Sequence, residues 1–318
     1  MTEKDISIIP GKGRRMNRSQ RRSMTFYAFL SPWLLGVVFL TAIPLIAGFL
    51  ISLTNYDGLN LNDLTFKGLG QYAKAFSDPY VGFSLGRTLL WAALNLPLWM
   101  VLSFVLALIL NQDVKGRGFF RTLYYLPSVV PAVAAVTVWK ILLDKNNGLF
   151  NGIISIFQPG VAIGWLTDYA LQSMTMVATW SGLGGGMVIF LAGLQNIPDE
   201  LVDASRVDGA NSWQVFRHIT LPLMTPVIFF QLIMGLIGSF QQVVYPLLLG
   251  LGSTTPPRSI YLVMIHVWRQ IFTDQRYGYG TAILWLLCIG ISVLALVVFW
   301  SQKFWVYSGD SSEPGGSS

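Results

Sequence analysis

In 318 residues the chain carries 53% hydrophobic and 11% charged side chains, a net charge of +6 and a mean hydropathy of +0.56. That balance lies outside the range of soluble domains, and it makes the positive charge a matter of membrane topology, not a nucleic-acid footprint. The single cysteine, Cys288, sits in an apolar run, which excludes a disulfide framework and a cysteine metal cluster.

The chain opens on a basic tail, residues 1–24, with Lys4, Lys12, Arg14, Arg15, Arg18, Arg21 and Arg22. The apolar segment behind it is too long for the core of a cleavable signal, and no small-residue cleavage pattern follows, so the tail is expected to stay and to set orientation. Anionic lipid or nucleic acid would also suit such a tail, but the adjoining span favours the topological reading.

A bilayer core takes about 20 mostly apolar residues per helix. Intervals free of Asp, Glu, Lys and Arg predict an all-α protein with six spans near 26–53, 88–110, 122–142, 171–194, 221–249 and 279–304, inside a membrane domain at 25–306. Pro127 and Pro131 predict a kink in the third span, and Gly184 to Gly186 a bend or close packing in the fourth. A seventh uncharged interval, 146–167, is interrupted by Gly148, Gly152 and the Gln158-Pro159-Gly160 run and reads as an interfacial loop. Six spans put the tail, the 111–121 and 195–220 loops and the C-terminus on one side with 13 basic residues against 8 opposite, which makes both termini cytoplasmic. Residues 307–318, polar and rich in Gly and Ser, are expected to be disordered.

Between the fourth and fifth spans lies a compact polar block, 198–222. Pro198 can open a helix, with Asp199 and Glu200 in the first turn, where the helix dipole favours negative charge. Gly209 and Ala210 break it, and Asn211 or Ser212 can cap a second helix carrying Trp213, Val215, Phe216 and Ile219. Helix, glycine turn, helix is also the outline of a DNA-binding motif, but four acids against Arg206 and Arg217 would repel phosphate.

This block resembles the EAA loop of permease subunits in bacterial ATP-binding-cassette importers: Glu-Ala-Ala, three residues, Gly, nine residues, Ile, one residue, Leu-Pro. Asp203, Ala204, Ser205, Gly209, Ile219, Leu221 and Pro222 occupy those places, with Asp203 one methylene shorter than the family glutamate and Ser205 in place of the second alanine. The stretches Phe190 to Leu201 and Val207 to Ala210 are similar to the carbohydrate branch. So, in order along the chain, are Phe29 to Leu45, Leu53 to Asp57, Phe66 to Tyr72, Gly118 to Ala134, Gly148 to Asn151 and Tyr277 to Ala282. The resemblance, strongest to the maltose and glycerol-phosphate permeases, implies a type I importer permease fold without catalytic residues in the bacterial cytoplasmic membrane. It implies as partners a second, similar permease, two ATPase subunits that bind ATP and Mg, and an extracytoplasmic binding protein received by segments 55–85, 144–170 and 251–278. The block becomes the ATPase-coupling helix, with Asp203, Ala204, Ser205, Asp208, Gly209, Ala210, Ile219, Leu221 and Pro222 as its residues. No cofactor is expected in the chain itself, which lacks a phosphate-cradling GxxxxGK[S/T] loop.

A secondary transporter would usually place ionisable residues within the membrane, and none of the six cores contains one, since Arg87, Lys140, Asp144 and Lys303 lie near span ends. A path for a polar solute needs hydrogen-bonding groups on one helix face. Gln231, Gly235, Gly238, Ser239, Gln242 and Tyr245 share such a face on the fifth span, joined by Asn95 beside Pro97 and by Trp180 with Ser181. The absence of basic residues from the six cores tilts the expectation toward a neutral sugar over a glycerol phosphate.

Overall fold

The computed structural model describes residues 18–59, 64–112, 115–250 and 257–307. Most of the basic tail and the polar segment from 308 onward lie outside the described residues. Among the described residues the chain is almost entirely helical, and the extended pairing present is a bridge between Thr54 and Phe66. Two compact units divide between Ile51 and Ser52.

In the first unit α1 (Arg18–Val37) runs through a π turn at Val38–Ala42 into α2 (Ile43–Ser52). The π turn follows from Pro44, which has no N–H for the carbonyl four residues back and whose ring displaces it. The N–H of Ile43 reaches Val38 O instead. Met24–Ser52 is long and apolar enough to cross a membrane.

The second unit begins with α3 (Gly70–Ser77) and α4 (Pro79–Asn111). Asp78 caps α4, accepting from Tyr80 N at 2.8 Å, and Pro79 takes the first helical position, where its missing N–H costs nothing. This helix starts nine residues before the charge-free interval, because Arg87 ends the lipid-compatible stretch without ending the helix. Next come α5 (Arg117–Val129) and α6 (Ala132–Leu142), the two arms of the third span, bent by 97°. Pro131 causes the break: it offers no N–H, its ring excludes the carbonyl of Pro127 from helical geometry, and it holds Val130 extended at φ −69°, ψ 128°. The kink is thus a full corner, and Pro127 sits inside α5.

The interval read as an interfacial loop contains a nine-residue helix, α7 (Leu149–Phe157), which passes through Gly152 and stops at Gln158. At about 1.5 Å per residue it is too short to span. The fourth span, α8 (Ala170–Gln195), is unbroken at Gly184 to Gly186. Gly184 and Gly186 serve close packing: a Cβ on Gly184 would collide with the backbone of Tyr124 and Tyr125, and one on Gly186 with Ser103, whereas Gly185 meets open space.

After α9 (Asp199–Val207) and α10 (Ser212–Val215), a π turn at Phe216–Thr220 leads into α11 (Leu221–Phe240). The fifth span therefore ends at Phe240, not at Leu249. Pro246 is the reason, since its ring excludes a helical Gln242 carbonyl, and the chain restarts as α12 (Val244–Leu249). The remaining elements are α13 (Val263–Trp268), a further π turn at Arg269–Thr273, and α14 (Tyr277–Trp305). Among the described residues, five helices long enough to span, with the bent pair as a sixth, match the six intervals read from the sequence.

Three buried clusters hold the second unit. Trp91, Met174, Val177, Ile260 and Leu262 form one; Phe240, Val263, Tyr279 and Ile283 another; Ala107, Met187, Phe190, Leu191 and Met224 the third. Sequence motifs far apart meet in one place. Lys67 N donates to Leu53 O (2.8 Å), Gln71 Nε2 to Thr54 O (2.9 Å) and Gly278 N to Tyr56 O (2.9 Å), joining the stretches at 53–57, 66–72 and 277–282. Nearby, Tyr279 OH donates to Asp78 Oδ2 at 2.6 Å, and His266 Nε2 lies 3.8 Å from the same oxygen. Burial pushes His266 below its ordinary 6.5, further lowered by Arg269 and opposed by Asp78 and Asp274. Burial would raise the Asp78 carboxyl, but the bonds from Tyr279 and Tyr80 with the charges of His266 and Lys74 leave it below its ordinary value.

Candidate functional site

The block at 198–222 is held by its own backbone. Helix α9 closes in a Schellman motif: Ala210 N donates to Ser205 O at 2.9 Å and Gly209 N to Arg206 O at 3.0 Å. Gly209 adopts φ +84°, with open space around it, so the conformation and not crowding demands glycine. Helix α10 opens with a capping box in which Gln214 N donates to Asn211 Oδ1 (3.0 Å) and Asn211 N to Gln214 Oε1 (2.8 Å).

With the polar atoms satisfied internally, the side chains are free to face outward. Val207 is 88% exposed, Trp213 65% and Leu201 47%, with Ala204 exposed beside them. Ser205, Asp208, Gly209, Ala210 and Ile219 line a hollow of about 340 Å³ between the two helices, together with His218. Asp203 faces Arg206 at 3.4 Å, an exposed pair of little energetic weight. Leu221 closes the π turn by donating its N–H to Phe216 O, and Pro222 follows at the second position of α11, as Pro44 does in α2. Phe216 stacks on Trp213 (5.4 Å) and meets Phe104 (6.3 Å), which packs on Phe190 (5.2 Å). The loop is thereby tied to α4 and α8.

Farther along α11 is a cavity of about 440 Å³. Of the residues read as a solute path, Asn95, Gly235, Ser239, Gln242 and Tyr245 line it together, with Gly238 and Ser181. Gln231 and Trp180 do not. Gln231 is buried one turn deeper, its Nε2 donating to Gly186 O at 3.2 Å as a link between helices. Trp180 turns instead to an apolar groove with Leu94, Leu98, Leu102 and Met176, edge-on to Trp139. The sequence reading missed Trp91, Trp99 and Ser128. Trp91 and Trp99 flank Asn95 at intervals of four, a spacing that places all three on one face of α4. No lining residue is charged, and the hydrogen-bonding groups are amides, hydroxyls and indoles. Such a wall suits an uncharged solute with many hydroxyls and flat apolar faces.

Residues 75–306 match the model of the family described as binding-protein-dependent transport system inner membrane component. The chain belongs to this family. It is accordingly a membrane permease subunit of an ATP-binding-cassette importer, a non-catalytic component. Among its relatives, the probable ABC transporter permease YesP of Bacillus subtilis (strain 168) is 31% identical over 94% of this chain and 97% of its own length. The probable starch degradation products permease AmyD of Thermoanaerobacterium thermosulfurigenes is 27% identical over 89% and 96%. A permease chain of a bacterial alginate ABC transporter, solved in complex with an alginate-pentasaccharide-bound periplasmic protein, superposes with a TM-score of 0.77 at 20% identity, covering 91% of this chain and 98% of that one. The likeness establishes a shared permease fold.

Proposed function

We propose that this permease forms half of the path by which a neutral carbohydrate enters a bacterial cell, in the cytoplasmic membrane, with the 198–222 loop on the cytoplasmic side. One observation carries the reading. The second helix of the exposed loop and the wall of the uncharged cavity are two parts of one continuous helix, which runs from Ser212 through the π turn to Phe240 and lines the cavity at Gly235 and Ser239. Between Ser212 and Gly235 that helix is roughly 35 Å long. A push on α10, at Trp213, is carried along this helix to the cavity wall, and α9 joins it through the Gly209 turn.

In this reading Leu201, Ala204, Val207 and Trp213 seat in a cleft of an ATPase subunit, and closure of the ATPase pair around ATP moves α11 against α4 and α8. A second permease completes the cavity, and a binding protein delivers solute to the opposite face. The cavity's indoles, amides and hydroxyls fit a sugar, and the cargo named for the AmyD relative is carbohydrate too. A phosphorylated or acidic solute finds no counter-charge among the residues lining this cavity.

Gentle purification of the tagged chain, mass spectrometry of what accompanies it and an ATPase assay test the reading. Recovery of an ATPase and a second permease, with hydrolysis stimulated by a sugar-loaded binding protein, is the expected result. A chain that purifies alone and transports under an ion gradient would overturn it.

A further inference from the structure

Along α4, positions 91, 95, 99, 103 and 107 form a row of i, i+4 neighbours, each about 40° around the helix from the last. Trp91, Asn95 and Trp99 line the cavity, whereas Ser103 and Ala107 are completely buried and outside it, so the row leaves the cavity at Trp99. The indole is seated where three glycines leave room. A Cβ on Gly182 would stand 3.0 Å from its Nε1, one on Gly186 2.9 Å from Cζ2, and one on Gly235 3.3 Å from Cζ3. These neighbours come from α8 and α11 and span the ring from its nitrogen to its six-membered edge. The N–H is buried without a partner, so shape and not hydrogen bonding holds the ring. Past it, Ser103 Oγ donates to Leu183 O (3.3 Å), Gln231 Nε2 to Gly186 O, and Met187, Phe190 and Met224 fill the interior.

We infer that Trp99 is the floor of the cavity, the positioning residue that sets how deep a solute can sit in this permease. This rests on the reading of the cavity as the solute's path. Gly182 acts through it, since the ring is the first neighbour a side chain there would meet, whereas side chains at Gly186 and Gly235 would meet Ser103 and Leu96 before the ring.

The test is thiol accessibility in the complete importer, with exposed Cys288 changed to serine and labelling read on this chain's own peptides. The probe is 2-(trimethylammonium)ethyl methanethiosulfonate. Ser239→Cys in the cavity wall should label. Ser103→Cys, one turn beyond the indole, should resist labelling with Trp99 or Trp99→Phe and label at least about tenfold faster with Trp99→Ala. Ser84→Cys, buried elsewhere on α4, should resist in every background, which excludes general loosening. Should Trp99→Ala not assemble with the ATPase, Trp99→Leu gives the same comparison. Equal labelling of Ser103→Cys with and without the ring overturns the floor and leaves the cavity reading intact, as does labelling of Ser84→Cys alongside it. Failure of Ser239→Cys to label overturns both.

Discussion

The connection between Gln195 and Leu221 and the one between Leu142 and Ala170 join membrane helices over similar lengths, yet they are held together in different ways. The first uses a Schellman motif and a capping box, bonds that reach no farther than five residues, and leaves its apolar side chains outside. The second folds around one buried side chain. Asn151 Nδ2 donates to Lys145 O (2.9 Å) and Ile163 O (2.9 Å), while its Oδ1 accepts from Trp165 Nε1 (3.0 Å) and Ile163 N (3.2 Å). A loop built from local caps keeps its surface for a partner. A loop built around a hub spends its polar side chain on its own shape.

Four substitutions or conditions press on that contrast. The largest effect belongs to the hub: Asn151→Ala strands several buried groups at about 1–3 kcal/mol each. Melting of the detergent-purified protein should fall sharply, with ATPase attachment unaffected once folded; an unchanged midpoint would show that the hub is dispensable. In the capped loop the order reverses. Trp213→Ala should leave melting nearly unchanged but weaken ATPase binding by about thirtyfold, the cost of roughly 2 kcal/mol typical of an aromatic anchor. Normal co-purification would remove Trp213 from the docking face.

Gly209→Ala forces an L-residue into the left-handed region, a penalty of about 1–2 kcal/mol. Reduced coupling of hydrolysis to transport, with Gly209→Asn milder than Gly209→Ala, is the expected outcome, and equal effects would argue against a backbone cause. The smallest effect is one of pH at the third connection, where His266 is buried. Its folded pKa lies below 6.5, so the unfolded chain takes up the proton first and stability falls as pH drops below about 6.5. Asp78, also lowered, adds its own loss only as pH falls through its folded value, below 3.8. His266→Gln should flatten the melting curve between pH 7 and about 5; the same slope in both proteins would show that another group titrates there.

Much of this was legible before the structure. The six spans follow from where the bilayer forbids Asp, Glu, Lys and Arg, and the capped loop from strong local signals at Pro198, Gly209 and Asn211. What escaped depended on contacts between distant segments. Helix α4 is apolar nearly all round, so nothing in its pattern separates the face holding Trp91 and Trp99 from the face toward lipid. Gln231 has the right spacing for the cavity and the wrong depth, because Gly186 offers its carbonyl one turn lower. The helix ends at Phe240 and Val129 were set by prolines ahead of them, whose excluded carbonyls lie four residues back.

The corner at Val130 and Pro131 has a consequence for the solvent. Hydrocarbon tolerates a broken helix only where the freed carbonyls meet protein or water. Pro127, Ser128, Val130 and Ala132, which straddle the corner, all line the cavity. The corner thereby sets backbone beside the cavity, where water or a solute hydroxyl, and not hydrocarbon, would meet it.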